Sequence, residues 1–407
     1  MLFTPEHHEL IVDDAWDEGR VRDAAAAIVA DAVDAQQPDG FWPVHPHDAD
    51  DEDGMSFRTG FYMGAAGLVW ALHQLGHDLT GTAERLYERY LAEPDWPGVV
   101  PGFLMGEAGI LFVAHQLAPD AAVADALERA VVENAGNESN ELLWGAPGTM
   151  LVAQSMLAAT GDRRWADAWL DSAGVLWSRW LPSDEHGCDL WTQRLYGQMV
   201  QYVGPGHGFA GNVLALSLDG GLLSAERRRE LERRVVAAAT ALAIREGDLA
   251  NWPPIAGQPL AQRGTIRTQW CHGAPGMVTS LAGLALDDDA FGDLLVAGGE
   301  LTWHAGPLAK GAGLCHGTAG NGGACLALFR RLGDERWLDR ARRFAMHALA
   351  QVEAGRERHG RGRYSLWTGD IGAALYAMQC IDGRDGLVNL PAHSSLIPTR
   401  VELIERG

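Results

Sequence analysis

The sequence predicts an all-α protein folded as an α/α barrel, a toroid of seven inner and seven outer helices. Three observations predict it. A G-x-x-G unit followed by an apolar run recurs seven times. Amphipathic segments at helical spacing lie between the copies. Strand signals are weak throughout.

The elements follow in order. Residues 1–55 read as an N-terminal segment ending in a polar loop, QQPDGFWPVHPHDADDEDG from 36 to 54, rich in Pro, Gly and Asp. The glycine units then begin: GAAGLVWAL from Gly64, GEAGILFVA from Gly106, GAPGTMLVA from Gly145 and GFAGNVLAL from Gly208. GAPGMVTSL from Gly273, GTAGNGGACLAL from Gly317 and GDIGAALYAM from Gly369 complete the set. First glycines lie roughly 40 to 65 residues apart, the length of two helices and their loops. Each unit opens a helix of small apolar residues that has to be buried. Between units, GDRRWADAWLDSAGVLWSRWL, AERRRELERRVVAAATALAI and DERWLDRARRFAMHALAQV carry charge on one face and suit an outer layer. No linker divides the chain, so residues 1–407 read as one domain. The starts of the inner helices should all open near one end of a ring.

Composition narrows the function. The chain has 407 residues, 47% apolar and 21% charged, as globular proteins do. Its formal net charge of −22 repels nucleic acid and anionic membrane surfaces. The N-terminus lacks the basic start and apolar stretch of a signal peptide, and no apolar run is long enough to span a bilayer. These features predict a cytoplasmic protein. Five cysteines, an odd and sparse number, do not suggest a disulfide scaffold.

The chemistry concentrates at helix starts. Cys315 and His316 are adjacent in KGAGLCHGTAGNG, so they can meet one ion only from a loop. Cys271, in WCHGAPG, holds the same slot of the preceding repeat. Two thiolates and an imidazole make a three-ligand zinc set with its fourth position open. The opposing reading is that free cysteines are small buried hydrophobes, which suits Cys325 and Cys380 inside apolar helices. His207, in GHGFAGN, stands at an equivalent helix start and suits proton transfer. His272 could be a fourth ligand or a neighbour of the site. Arg267 precedes Cys271 by four residues, Glu141 precedes Gly145 by four, and Lys310, the single lysine, precedes Cys315 by five.

RTQWCHGAPG, KGAGLCHGTAGNG, GHGFAGN, ELLWGAPG and YSLWTGDIG together resemble the lanthionine synthetase C-like family, from about Gly60 to Ala377. The resemblance implies a toroid of the same helix count and Zn²⁺ held by Cys271, Cys315 and His316. It places the family's proton-transfer histidine on His207 and its arginine on Arg267. Glu141 falls where the bacterial cyclases often carry aspartate.

The implied activity is addition of a thiol to dehydroalanine or dehydrobutyrine in a peptide or protein, giving a thioether. WCHG, where cyclases commonly have WCYG, and the lysine of KGxGLCHG resemble the glutathione-adding branch. That similarity implies Lys310 as a substrate contact, with Arg363 as a weaker one. Besides addition of glutathione, a lanthipeptide cyclase acting on the cysteine of a dedicated precursor stays open. So do a zinc-free toroidal glycosidase and a non-catalytic binder of glutathione or peptides. The length leaves no room for an added kinase or dehydratase domain, so a standalone enzyme is expected.

Overall fold

The computed structural model describes residues 1–48, 58–286 and 288–383. The seven glycine units become seven helix starts. Gly64, Gly106, Gly145, Gly208, Gly273, Gly317 and Gly369 are the N-caps of α2 (Ala65–Gln74), α4 (Glu107–Leu117), α6 (Ala146–Thr160), α8 (Phe209–Ser217), α10 (Ala274–Leu281), α12 (Thr318–Leu332) and α14 (Asp370–Asp382). The second glycine of each unit has one steric cause. At Gly67, Gly109, Gly148, Gly211, Gly276, Gly320 and Gly372, an added Cβ would collide with the carbonyl oxygen six residues earlier. The chain doubles back so tightly before each inner helix that no side chain fits. Gly273 adds a second demand, because its φ of 109° is a conformation that residues with a Cβ rarely adopt.

Helices α2, α4, α6, α8, α10, α12 and α14 each pack on the next, and α14 packs on α2, which closes the ring. The outer layer comprises α1 (Glu18–Asp34), α3 (Thr80–Ala92), α5 (Ala121–Asn134), α7 (Arg163–Ser178), α9 (Ala225–Leu242), α11 (Asp289–Ala305) and α13 (Glu335–His359). These helices start differently. Asp17, Asp120, Asp162, Ser224, Asp288 and Asp334 accept backbone N–H groups of the first turns of α1, α5, α7, α9, α11 and α13. Glycine caps mark the buried layer, and polar side-chain caps mark six of the seven outer helices; α3 starts at Leu79 without one.

Two features were absent from the sequence reading. The N-terminal segment contains α1, which supplies the seventh outer helix by packing on α13 and α14. Four two-stranded hairpins also interrupt the helices: β1 (Leu181–Ser183) with β2 (Cys188–Leu190), β3 (Gln193–Leu195) with β4 (Gln198–Val200), β5 (Ile244–Glu246) with β6 (Leu249–Asn251), and β7 (Ala261–Gln262) with β8 (Thr265–Ile266). Strands of two or three residues are too short to show alternation. Tyr196–Gly197 and Arg263–Gly264, with all four φ values positive, make their tight turns.

Trp165, Trp169, Trp180, Trp191, Trp252, Trp270 and Trp337 are each under 2% exposed. They fill the core and do not offer sugar-stacking faces. Cys325 and Cys380 are buried in α12 and α14, as expected, and burial pushes both thiols up, Cys380 to about 12. No described helix is long and apolar enough to cross a membrane.

Candidate metal centre

Consecutive inner helices bring the expected residues together. Glu141 precedes α6, His207 precedes α8, Arg267 and Cys271 precede α10, and Cys315 and His316 precede α12. The ring therefore sets these four loops side by side. The Cys271 N–H donates to the Cys315 carbonyl oxygen at 3.1 Å, pinning two of the loops directly.

Ligand atoms of Cys271, Cys315 and His316 all lie within 4.8 Å of one another. A tetrahedral zinc with bonds of about 2.3 Å to sulfur needs its ligand atoms about 4 Å apart, so the group fits that ion. Two soft sulfurs and an imidazole also suit zinc better than calcium or magnesium. Among the described residues this is the one such group of three.

Local electrostatics prepare the sulfurs. A hydrogen bond from Cys315 and the charges of His272 and His316 pull the Cys271 thiol well below its usual range, against the opposing cost of burial. Cys315 is pushed up, first by burial and then by Cys271 itself. Two neighbours complete the sulfur environment, and sequence reasoning assigned a role to neither. Gln269 Nε2 donates to Cys271 Sγ at 2.9 Å. The buried Tyr62 hydroxyl hydrogen-bonds with Cys315, and burial together with the nearby sulfurs raises its own pKa, keeping it a donor. Gln269 was visible within RTQW, but Tyr62 comes from the turn before α2 and carried no signal.

Beside the thiols lies a carboxylate–imidazole pair. Glu141, fully buried, accepts His207 Nδ1–H at 3.0 Å. It also accepts the backbone N–H groups of Leu143 (3.0 Å) and Trp144 (2.6 Å), which fix its position. Burial alone would lower the His207 pKa, but the hydrogen bond and charge of Glu141, with a contribution from Cys271, outweigh it and raise the value. His272 stands 6.1 Å from His207 between ring centroids, and burial holds it down to about 4. The positive charge of Arg267 adds to that depression, while its Nη1 donates to Gln262 Oε1 at 3.3 Å. Tyr196, at the tip of the β3–β4 hairpin, sets its ring edge-on to His207 at 5.7 Å.

The two expected substrate contacts fare differently. Lys310 is exposed, lines a cavity of about 330 Å³, and its charge reaches Cys315. Arg363 already has a carboxylate partner. Its Nε meets Asp48 Oδ2 at 2.6 Å and its Nη2 meets Asp48 Oδ1, so the guanidinium is committed to fixing that loop.

The family described as lanthionine synthetase C-like protein matches residues 51–390. A Danio rerio protein named glutathione S-transferase LANCL1 is 29% identical over 230 residues, covering 54% of each chain. The chain thus spans about half the length of that relative. An Arabidopsis thaliana protein, LanC-like protein GCL1, is 37% identical over 100 residues, 24% of this chain and 22% of that protein. Among solved structures, nisin cyclase superposes with a TM-score of 0.63 at 16% identity, covering 93% of this chain and 99% of that one, which supports the toroidal fold. With 340 residues matched and the helical ring in place, the chain belongs to the lanthionine synthetase C-like family.

Proposed function

We propose that this protein is a zinc-dependent enzyme that adds a thiol to dehydroalanine or dehydrobutyrine in a peptide or protein. The observation that carries the reading is the convergence of Cys271, Cys315 and His316 beside the buried Glu141–His207 pair. Zinc held by the three ligands would ionise an incoming thiol at its open position and keep the sulfur nucleophilic.

The remaining work falls to the chain's own side chains. The sulfur bonds to the β-carbon, and the alkene pair moves onto the α-carbon and its carbonyl as an enolate. His207 donates a proton to the α-carbon. Glu141 occupies its Nδ1–H, so Nε2 is the atom that delivers and regains the proton. The thiol's own proton makes good the loss, so the sum is one S–H added across one C=C bond. The raised pKa of His207 keeps the acid form populated. Arg267 supplies positive charge for the enolate, and Gln269 and Tyr62 hold the two cysteine sulfurs in place.

Glutathione is the preferred thiol in this reading. The exposed Lys310 near Cys315 suits a carboxylate of the incoming molecule, and a cytoplasmic setting would supply that thiol. Cyclisation by a peptide's own cysteine is the second reading, favoured by the match to the nisin cyclase fold. Incubating the purified protein with a dehydroalanine peptide, with and without glutathione, and weighing the products tests both. A mass gain of one glutathione is expected. No adduct with glutathione, and no thioether in a peptide that also carries cysteine, would refute the proposal.

A further inference from the structure

Thioether formation uses the Glu141–His207 pair and leaves an aromatic ring beside it without a task. Tyr196 sets its ring edge-on to His207, with 5.7 Å between centroids. Tyr202 and His272 also border that imidazole, at 5.7 and 6.1 Å, but both are half-buried. Tyr196 is 62% exposed, so of these three it is the ring that an arriving molecule meets first.

Its placement is specified by the chain. Tyr196 and Gly197 form the two-residue turn between β3 and β4, and the first position of such a turn favours Asn, Asp or Gly. A tyrosine with a φ of 51° is held there at a steric cost. The base of the hairpin is tied to the segments that carry the pair. The Arg194 N–H donates to the Glu138 carbonyl oxygen at 2.9 Å. Gln193, fully buried, donates to the Asn140 carbonyl oxygen at 3.3 Å and accepts the Tyr202 N–H at 2.8 Å. Glu138 and Asn140 lead into Glu141, and Tyr202 leads into His207, so the turn and the pair share their anchors.

That position decides what the ring can touch. His207 delivers its proton to the α-carbon of the dehydro residue, so the peptide main chain has to run past the imidazole. The side chains flanking the dehydro residue then come within reach of Tyr196. Its ring offers apolar area to an aliphatic or aromatic neighbour. An acidic neighbour would instead meet the charge of Glu141, which reaches Tyr196, in a chain whose net charge is −22.

We propose that Tyr196 is a specificity-determining residue, selecting peptides with an apolar side chain next to the dehydro residue and disfavouring those with an acidic one. The inference rests on the thioether reading and names the peptide class which that reading leaves open.

Two peptides that differ only in carrying Leu or Asp on both sides of one dehydroalanine test it, each turned over by the full chain with glutathione. The Leu peptide should have a kcat/KM about tenfold or more above the Asp peptide, with the difference mainly in KM. Tyr196→Phe keeps the ring and should keep the preference. Tyr196→Gly removes the ring and suits the left-handed turn, so the hairpin survives; it should raise KM for the Leu peptide about tenfold and bring the two peptides level. Equal KM values in the unmodified chain, a preference that persists in Tyr196→Gly, or one that vanishes in Tyr196→Phe would overturn the proposal. Fluorescence anisotropy with labelled copies carrying alanine in place of dehydroalanine separates this outcome from failure of the chemistry. Even if no adduct forms, the Leu copy should bind about tenfold more tightly than the Asp copy, and only in chains that keep the ring. Equal binding of the two copies would sink the inference whether or not the thioether forms.

Discussion

Glu141 Oε2 and His207 Nδ1 lie 3.0 Å apart although 66 residues separate them in the chain. The carboxylate is fully buried and held by two backbone N–H groups, so it cannot swing away from the imidazole. Neighbouring inner helices create the pair, and it sets both the direction and the acidity of His207.

Removing that carboxylate should change the pH dependence of the reaction. In Glu141→Gln the imidazolium loses its counter-charge, and the raised pKa of His207 falls. Because the protonated ring is the acid, the alkaline limb of the rate profile moves to lower pH. The rate should drop about 10²-fold near neutrality while zinc is retained. A pH–rate profile with zinc analysis checks this; an unmoved alkaline limb would remove Glu141 from the mechanism.

His207→Ala removes the acid itself. Product formation should slow by about 10²–10⁴-fold with metal content unchanged. Single-turnover kinetics on a dehydroalanine peptide measure the loss, and an unaltered rate would exclude His207 as the proton donor.

Gln269→Ala deletes the hydrogen bond to Cys271 Sγ without touching a ligand. Zinc affinity should fall about 10–100-fold, as for other residues that orient ligands. Competition with a chromophoric chelator reads the change, and equal affinity would show that the contact has no effect on the site.

The inner-helix turns make a stability prediction. Gly320→Ala puts a Cβ against the Leu314 carbonyl oxygen, next to Cys315, and should cost about 1–3 kcal/mol or more. Gly323→Ala, one turn along α12, meets nothing within 4 Å and should stabilise by about 0.5–1 kcal/mol through helix propensity. Urea unfolding of the pair checks the contrast, and similar midpoints would show that close approach is not why the unit keeps its second glycine.

Much of this was legible because the fold repeats. A glycine that caps a buried helix and a glycine three residues later leave a mark seven times over, and the slot just before the cap faces the same ring mouth each time. That is why Cys271, Cys315, His316 and His207 could be grouped from sequence. What lacked repetition stayed hidden. Helix α1 has no glycine unit before it, so its role as the seventh outer helix did not show. Two- and three-residue strands leave no periodicity. Tyr62 reaches Cys315 across the closure of the ring, and Asp48 takes Arg363 across 315 residues, pairings that only the closed ring creates.

Metal analysis joined to product mass measurement bears most directly on the proposed zinc chemistry. The purified protein should carry one zinc per chain and convert a dehydroalanine peptide with glutathione to its thioether, and Cys315→Ala should lose both together. A Cys315→Ala protein that contains no zinc yet forms the thioether at the full rate would contradict the account.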